Sequence, residues 1–151
     1  MTRISNPGEV RAGMSQLPAN GKTIFIAEDD PFIARMYETK LGAAGFTVVL
    51  ASNGRDAYEG LKAAKPDLLL LDINMPELSG FQVLAALTAD GVDLAGLPIM
   101  VLTNSSNMQD MKTAQSFGAE YMIKAELTPR SVLERIQKKL GLPIADGPKA
   151  A

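Results

Sequence analysis

The segment Asp67-Leu68-Leu69-Leu70-Leu71-Asp72-Ile73-Asn74-Met75-Pro76 constrains this chain more than any other. Four consecutive leucines leave no polar face for water. An unbroken apolar run of that length suits a strand covered on both sides, as in a parallel sheet flanked by helices. The run stops at Asp72, and Met75-Pro76 then turns the chain. In open α/β sheets the carboxyl ends of the strands border the ligand crevice, so Asp72 stands where chemistry takes place.

The rest of the chain alternates around this strand. Thr23 to Ala27 (TIFIA) reads as a short buried strand. Asp30 then suits an N-cap and Pro31 the first helical residue. Ile33, Met36, Tyr37, Leu41 and Ala44 recur at helical spacing, and Gly45 ends that helix. Phe46 to Ala51 is the second strand. Asn53 opens a helix with Ala57, Leu61 and Ala64 inward, stopped near Pro66. After the leucine strand, Glu77-Leu78-Ser79-Gly80 leads into a helix with Phe81, Leu84 and Leu87 inward. Pro98 to Leu102 is the fourth strand and ends at Thr103. A helix from Asn107 to Phe117 follows, closed by Gly118. Glu120 to Ile123 is the fifth strand and ends at Lys124. Thr128-Pro129 caps a last helix with Val132, Leu133, Ile136 and Leu140 inward. Strand-then-helix, five times over, implies a doubly wound α/β fold, (βα)5, with a five-stranded parallel sheet and right-handed crossovers.

The 151 residues suffice for one domain. Residues 1–21, rich in Asn, Pro, Gly and Ser without periodicity, read as a flexible leader. Residues 22–140 form the domain, and 141–151 read as a flexible tail. Gly21-Lys22-Thr23 is not a phosphate loop, because a strand follows it where a helix is needed. Asn104-Ser105-Ser106 matches a glycosylation sequon, which carries no weight without a secretory signal. Met108, Met111 and Met122 read as core filler.

Composition removes several kinds of chemistry. There is no cysteine, hence no disulfide, thiol nucleophile or thiolate metal site. There is no histidine, hence no imidazole base and no phosphohistidine carried by this chain. A net charge of −2 without basic blocks gives no case for nucleic acid or an anionic membrane. No apolar stretch reaches the length of a membrane span, and a cytoplasmic protein is expected.

Carboxylates, hydroxyls and lysines remain, and they collect at the strand ends. Strand one ends in Glu28 and Asp29, strand three in Asp72, strand four in Thr103 and strand five in Lys124. Parallel strands set all five along one rim. Three clustered acids repel one another unless something positive sits among them. Magnesium answers this, since it takes oxygen ligands and is often shared between carboxylates and a phosphate; manganese is the substitute. A carboxylate beside such a cation, a lysine and a hydroxyl is suited to accept a phosphoryl group.

These motifs resemble those of response-regulator receiver domains: the pair Glu28-Asp29, LLLLDINMPELSG around Asp72, Thr103 after PIMVL, and YMIK ending in Lys124. The resemblance covers about Lys22 to Leu140. It implies the flavodoxin-like strand order 2-1-3-4-5. It implies phosphorylation of Asp72 by a histidine kinase or a histidine phosphotransfer protein. It also implies metal binding by Asp29, Asp72, Glu28 (through a water) and the Asn74 carbonyl. Thr103 and Lys124 would bind the phosphoryl group, and Tyr121 would be the aromatic switch. Asn74 and Ser105 would tune autodephosphorylation. The helix 4/strand 5/helix 5 face would change and contact a downstream protein. The chain would be a monomer, or a dimer formed on phosphorylation.

One departure stands out. Family members usually carry proline after the lysine, often in cis, and here the residue is Ala125. No output domain follows Leu140, so a stand-alone signalling module without nucleic-acid binding is expected. Two competing readings are an aspartyl phosphohydrolase and a flavin-binding module. The first commonly has an acid two residues after its nucleophile, where this chain has Asn74. The second needs a hydroxyl- and glycine-rich loop where this chain has Glu28-Asp29-Asp30-Pro31.

Overall fold

The computed structural model describes residues 2–5 and 17–144. In chain order its elements are β1 (Thr2–Ser5), β2 (Thr23–Ala27), α1 (Pro31–Ala43), β3 (Thr47–Ala51), α2 (Gly54–Ala63), β4 (Leu68–Asp72), α3 (Gly80–Ala89), β5 (Ile99–Thr103), α4 (Met108–Ser116), β6 (Glu120–Ile123) and α5 (Pro129–Lys139). A single 3-10 turn, Lys124–Glu126, lies between β6 and α5. The strands form one sheet in the order β1-β3-β2-β4-β5-β6. The last five of these are parallel to one another, in the flavodoxin-like order expected.

The leucine strand behaves as its sequence demands. All of Leu68–Asp72 is buried. Leu69 and Leu71 join a cluster with Ala57, Leu61, Val83, Leu84 and Leu87 from α2 and α3. Leu68 and Leu70 join a second cluster with Tyr37, Leu41, Val132, Leu133 and Ile136 from α1 and α5. Successive side chains point to opposite faces of a strand, so each helical layer receives two leucines. Each contributes about 1.5–3 kcal/mol of burial.

The helix starts follow their capping residues. Asp30, Asn53, Ser79, Asn107 and Thr128 each accept backbone N–H bonds from the first turn of the next helix. Ser79 and Thr128 form full capping boxes, the latter with Ser131 in place of the usual Glu or Gln.

Several expectations need correction. The leader is not structureless throughout: Thr2–Ser5 pairs antiparallel with β3, Thr2 against Ala51 and Ser5 against Val48. The β3 edge otherwise offers unpaired N–H and C=O groups, and β1 covers it. Four residues are too few for a period to show in the sequence. Closer to β2, Leu17 N–H donates to Ala43 O (2.7 Å) and Asn20 N–H to Gly45 O (3.0 Å). Gly45 has φ +101°, and a Cβ there would lie 2.2 Å from Pro18 O, so the site admits only glycine. Beyond α5, Leu142 N–H donates to Gln137 O (2.8 Å), which ties down the start of the expected tail. Residues 1, 6–16 and 145–151 lie outside the described residues.

The methionines also differ from expectation. Met122 is core, but Met108 is 69% exposed and Met111 38%. Helix α4 buries Ala114 alone, so its nine residues leave most of their apolar surface open. Met36, one of the apolar residues at helical spacing on α1, is 40% exposed.

Candidate functional site

The rim at the carboxyl ends of β2, β4, β5 and β6 gathers the charged residues. Order β3-β2-β4 puts β2 beside β4, so Glu28 and Asp29 follow one strand directly next to the strand that ends in Asp72. Glu28, Asp29 and Asp72 each present an oxygen within 4.8 Å of the others'. Glu28 and Asp72 are buried, whereas Asp29 is exposed. A cluster of this kind, two acids sunk in the fold and one open to solvent, has the oxygen-only donor set of a hard divalent cation with room left for water.

Lys124 supplies the positive charge. Its Nζ lies 2.9 Å from Glu28 Oε1 and 3.6 Å from Asp72 Oδ2. No cis peptide bond occurs among the described residues, so the Lys124-Ala125 bond is trans. The chain leaves β6 through the 3-10 turn, closed by Leu127 N–H on Lys124 O (3.1 Å). Glu28, expected to act on a metal through a water, makes a direct ion pair with this lysine.

Asp72 titrates unusually. Burial, first, and the adjacent Glu28 charge push the Asp72 carboxyl from 3.8 up to about 7. The Lys124 charge and the Asn74 N–H, which donates to Asp72 Oδ1 at 3.1 Å, pull the other way without prevailing. Burial draws Lys124 down, but the hydrogen bond and charge of Glu28, with Asp72 beside it, hold it above its ordinary value. The rim gathers three carboxyl groups against a single ammonium, more acid than that charge can neutralise.

Thr103 is fully buried at the end of β5. Its Oγ1 accepts from Ser105 N–H at 3.1 Å. Ser105 is a junction: its hydroxyl accepts from Asn107 N–H at 3.0 Å, and its carbonyl accepts the Tyr121 hydroxyl. Tyr121 is half-buried against the cluster under α3 and α4. A hydrogen-bonded chain thus runs from Thr103 through the loop to Tyr121 on β6. The sequence offers Thr103, Ser105 and Tyr121 as separate candidates; the contact that joins them is a backbone carbonyl, which no residue type advertises. Asn74 stands exposed in the loop after Asp72.

That loop is pinned by a residue which sequence reasoning passed over. Gly54, first residue of α2, donates its N–H to Pro76 O (3.2 Å), and a Cβ there would lie 1.9 Å from Leu78 O. Backbone meets backbone with no space for a side chain. The same loop holds Glu77 in the left-handed region at φ 72°. Its only signal in the sequence is the glycine that follows the Asn53 cap.

Comparison with known proteins agrees with this geometry. The response regulator receiver domain model matches residues 24–137. The transcriptional regulatory protein GltR of Pseudomonas aeruginosa is 33% identical over 124 residues, covering 82% of this chain and 51% of that protein. The DNA-binding response regulator MtrA of Mycolicibacterium smegmatis is 29% identical over 117 residues, covering 78% of this chain and 50% of that protein. The chain therefore spans about half the length of the curated relatives it matches. Among solved structures, the chemotaxis protein CheY4 of Vibrio cholerae superimposes with TM-score 0.68 at 25% identity, covering 81% of this chain and 98% of that one. The BeF3-activated N-terminal receiver domain of Klebsiella pneumoniae RstA gives 0.67 at 29% identity, covering 78% and 97%. With the family model spanning β2 to α5 and the acids, hydroxyl and lysine standing at the strand ends, the chain belongs to the response regulator receiver domain family.

Proposed function

We propose that Asp72 accepts a phosphoryl group from a phosphohistidine on a histidine kinase or histidine phosphotransfer protein. One observation carries this reading: a buried carboxylate within 4.8 Å of two other acids, with an ammonium 3.6 Å away. Magnesium bound among Glu28, Asp29, Asp72 and the Asn74 carbonyl, or manganese in its place, would neutralise charge on the transferring oxygens. Glu28 and Asp29 hold the cation-binding oxygens. Asp72 keeps one oxygen on Asn74 N–H and offers the other for attack. Lys124, at the start of the 3-10 turn, meets the incoming negative charge.

The output follows from the hydrogen-bonded chain. Thr103 Oγ1 accepts Ser105 N–H and keeps its own proton to donate to a phosphoryl oxygen, so a move of Thr103 toward that oxygen would draw the Ser105 loop with it. The loop then shifts, and with it the Tyr121 hydroxyl and the start of α4. The α4–β6–α5 face carries this change to a downstream protein. Its exposed Met108 and Met111 are soft, adaptable contact groups on α4. The module turns over only by slow hydrolysis of its own acyl phosphate, tuned by Asn74 and Ser105 beside the path of water. A phosphohydrolase is disfavoured, because the Asn74 amide cannot protonate a leaving group.

The experiment is intact-mass measurement after incubation with acetyl phosphate and magnesium. Wild type is expected to gain one PO3 increment and Asp72→Asn none; equal labelling of the two removes Asp72 as the acceptor.

A further inference from the structure

Helix α4 is held unequally at its two ends. No residue from 104 to 113 is buried. The start of the helix hangs on the loop before it, through the Asn107 side chain on its first turn and Asn107 N–H on Ser105 Oγ (3.0 Å). The far end is fastened twice. Gly118, at φ +73°, turns the chain back. Its N–H donates to Gln115 O (2.9 Å) and Ala119 N–H to Ala114 O (2.9 Å), the paired bonds of a Schellman motif. Ala114 and Ala119 are both buried, in the cluster that holds Leu69 and Leu71.

Phe117 makes the second fastening. Its ring stacks on Phe81, with centroids 6.4 Å apart and planes 11° from parallel. Both rings are half-buried against the same cluster. Stacking in this range is favourable beyond the area it buries. Phe81 is itself fixed, because it follows Gly80, whose N–H donates to Ile73 O (2.8 Å). A Cβ on Gly80 would lie 2.5 Å from Asp72 O, so the start of α3 rests on the Asp72 backbone with no room between. The stack thus joins the end of α4 to the part of α3 seated on Asp72.

We infer that the Phe81–Phe117 stack is the pivot of α4: a pull on the Ser105 loop swings the start of the helix while its end stays against α3. This rests on the reading of Asp72 as phosphoryl acceptor and of Thr103 as the group that draws the loop. Nine residues at about 1.5 Å each set Met108 roughly 13 Å from the pivot, so this exposed methionine travels farthest. A helix sliding as a rigid rod would carry both ends equally, and one held at its end cannot.

The test measures distances between spin labels with and without beryllofluoride and magnesium, the pair standing in for the phosphoryl group. The chain has no cysteine, so introduced ones carry the only labels. Exposed positions serve: Gln109→Cys or Gln115→Cys on α4, each paired in turn with Thr39→Cys on α1 and Glu59→Cys on α2. With both phenylalanines present, the Gln109 distances should change about four times as much as the Gln115 distances, since these residues stand eight and two positions from Phe117. Phe117→Leu and Phe81→Leu stay apolar but lose the stack. In either, and no further in the double variant, the two changes should become equal. Phe117→Tyr keeps the ring and should keep the difference. The result with both phenylalanines present stands whether or not a leucine variant folds. Equal movement there, no movement at Gln109 in protein that fluorine NMR shows to bind beryllofluoride, or a difference that survives in both leucine variants overturns the inference and leaves Asp72 as acceptor. A folded wild type that binds no beryllofluoride, or Asp72→Asn moving as wild type does, overturns the acceptor reading and this inference with it.

Discussion

Replacing Asp72 by asparagine should make the metal-free protein more stable at pH 8. The Asp72 carboxyl titrates at about 7 in the fold against 3.8 as a free side chain. A raised folded value means that the proton binds more tightly in the folded chain. The stability this confers is complete below 3.8 and is lost as pH rises through about 7. The gap spans roughly three pH units at about 1.4 kcal/mol each, so ionised Asp72 costs up to about 4 kcal/mol. Asparagine keeps an oxygen for Asn74 N–H, now at 3.1 Å, and carries no charge at any pH. Urea denaturation in EDTA should show Asp72→Asn ahead by about 2–4 kcal/mol at pH 8, shrinking toward zero near pH 4. Magnesium at a hundred times its Kd should return about 2.7 kcal/mol to wild type and much less to the variant. A variant no more stable than wild type at pH 8 in EDTA, or a gap that widens as pH falls, refutes the account of the rim as over-charged.

Three further outcomes follow from the same structure. Lys124→Met leaves Glu28 and Asp72 without their ammonium; it should destabilise the metal-free protein at pH 8 by about 3–5 kcal/mol, with magnesium restoring part of the loss in thermal melts. Gly54→Ala sets a methyl against the Leu78 carbonyl and should cost about 1–3 kcal/mol by urea denaturation, with slower phosphorylation as the Asp72 loop shifts; an unchanged midpoint would show that the α2 contact yields freely. Glu77→Gly relieves a left-handed φ of 72° and should stabilise by about 1 kcal/mol; a loss of stability would mean that the strain there is negligible.

Much of the site could be read from the chain because each member ends a strand. Asp72 follows four leucines, Thr103 follows PIMVL and Lys124 follows EYMI, so periodicity alone places them on one edge of a parallel sheet. What was hidden has a common character. The Lys124–Glu28 pair, the Ser105 carbonyl under the Tyr121 hydroxyl and the Gly54 N–H on Pro76 join residues far apart in sequence, and two of the three use backbone atoms. Burial of Met108 and Met111 was expected from residue type, which says nothing about how little of α4 the sheet covers.

The sequence by itself determined the alternation of strands and helices, the direction of each strand and the residues at each strand end. These depend on local periodicity and capping, which act within a few residues. Tertiary structure alone decided the antiparallel β1 at the sheet edge, the lysine's choice of Glu28 over Asp72, and the burial that lifts Asp72 to about 7. Each of those depends on distance and dielectric between segments remote in the chain, quantities that exist only once the chain has folded.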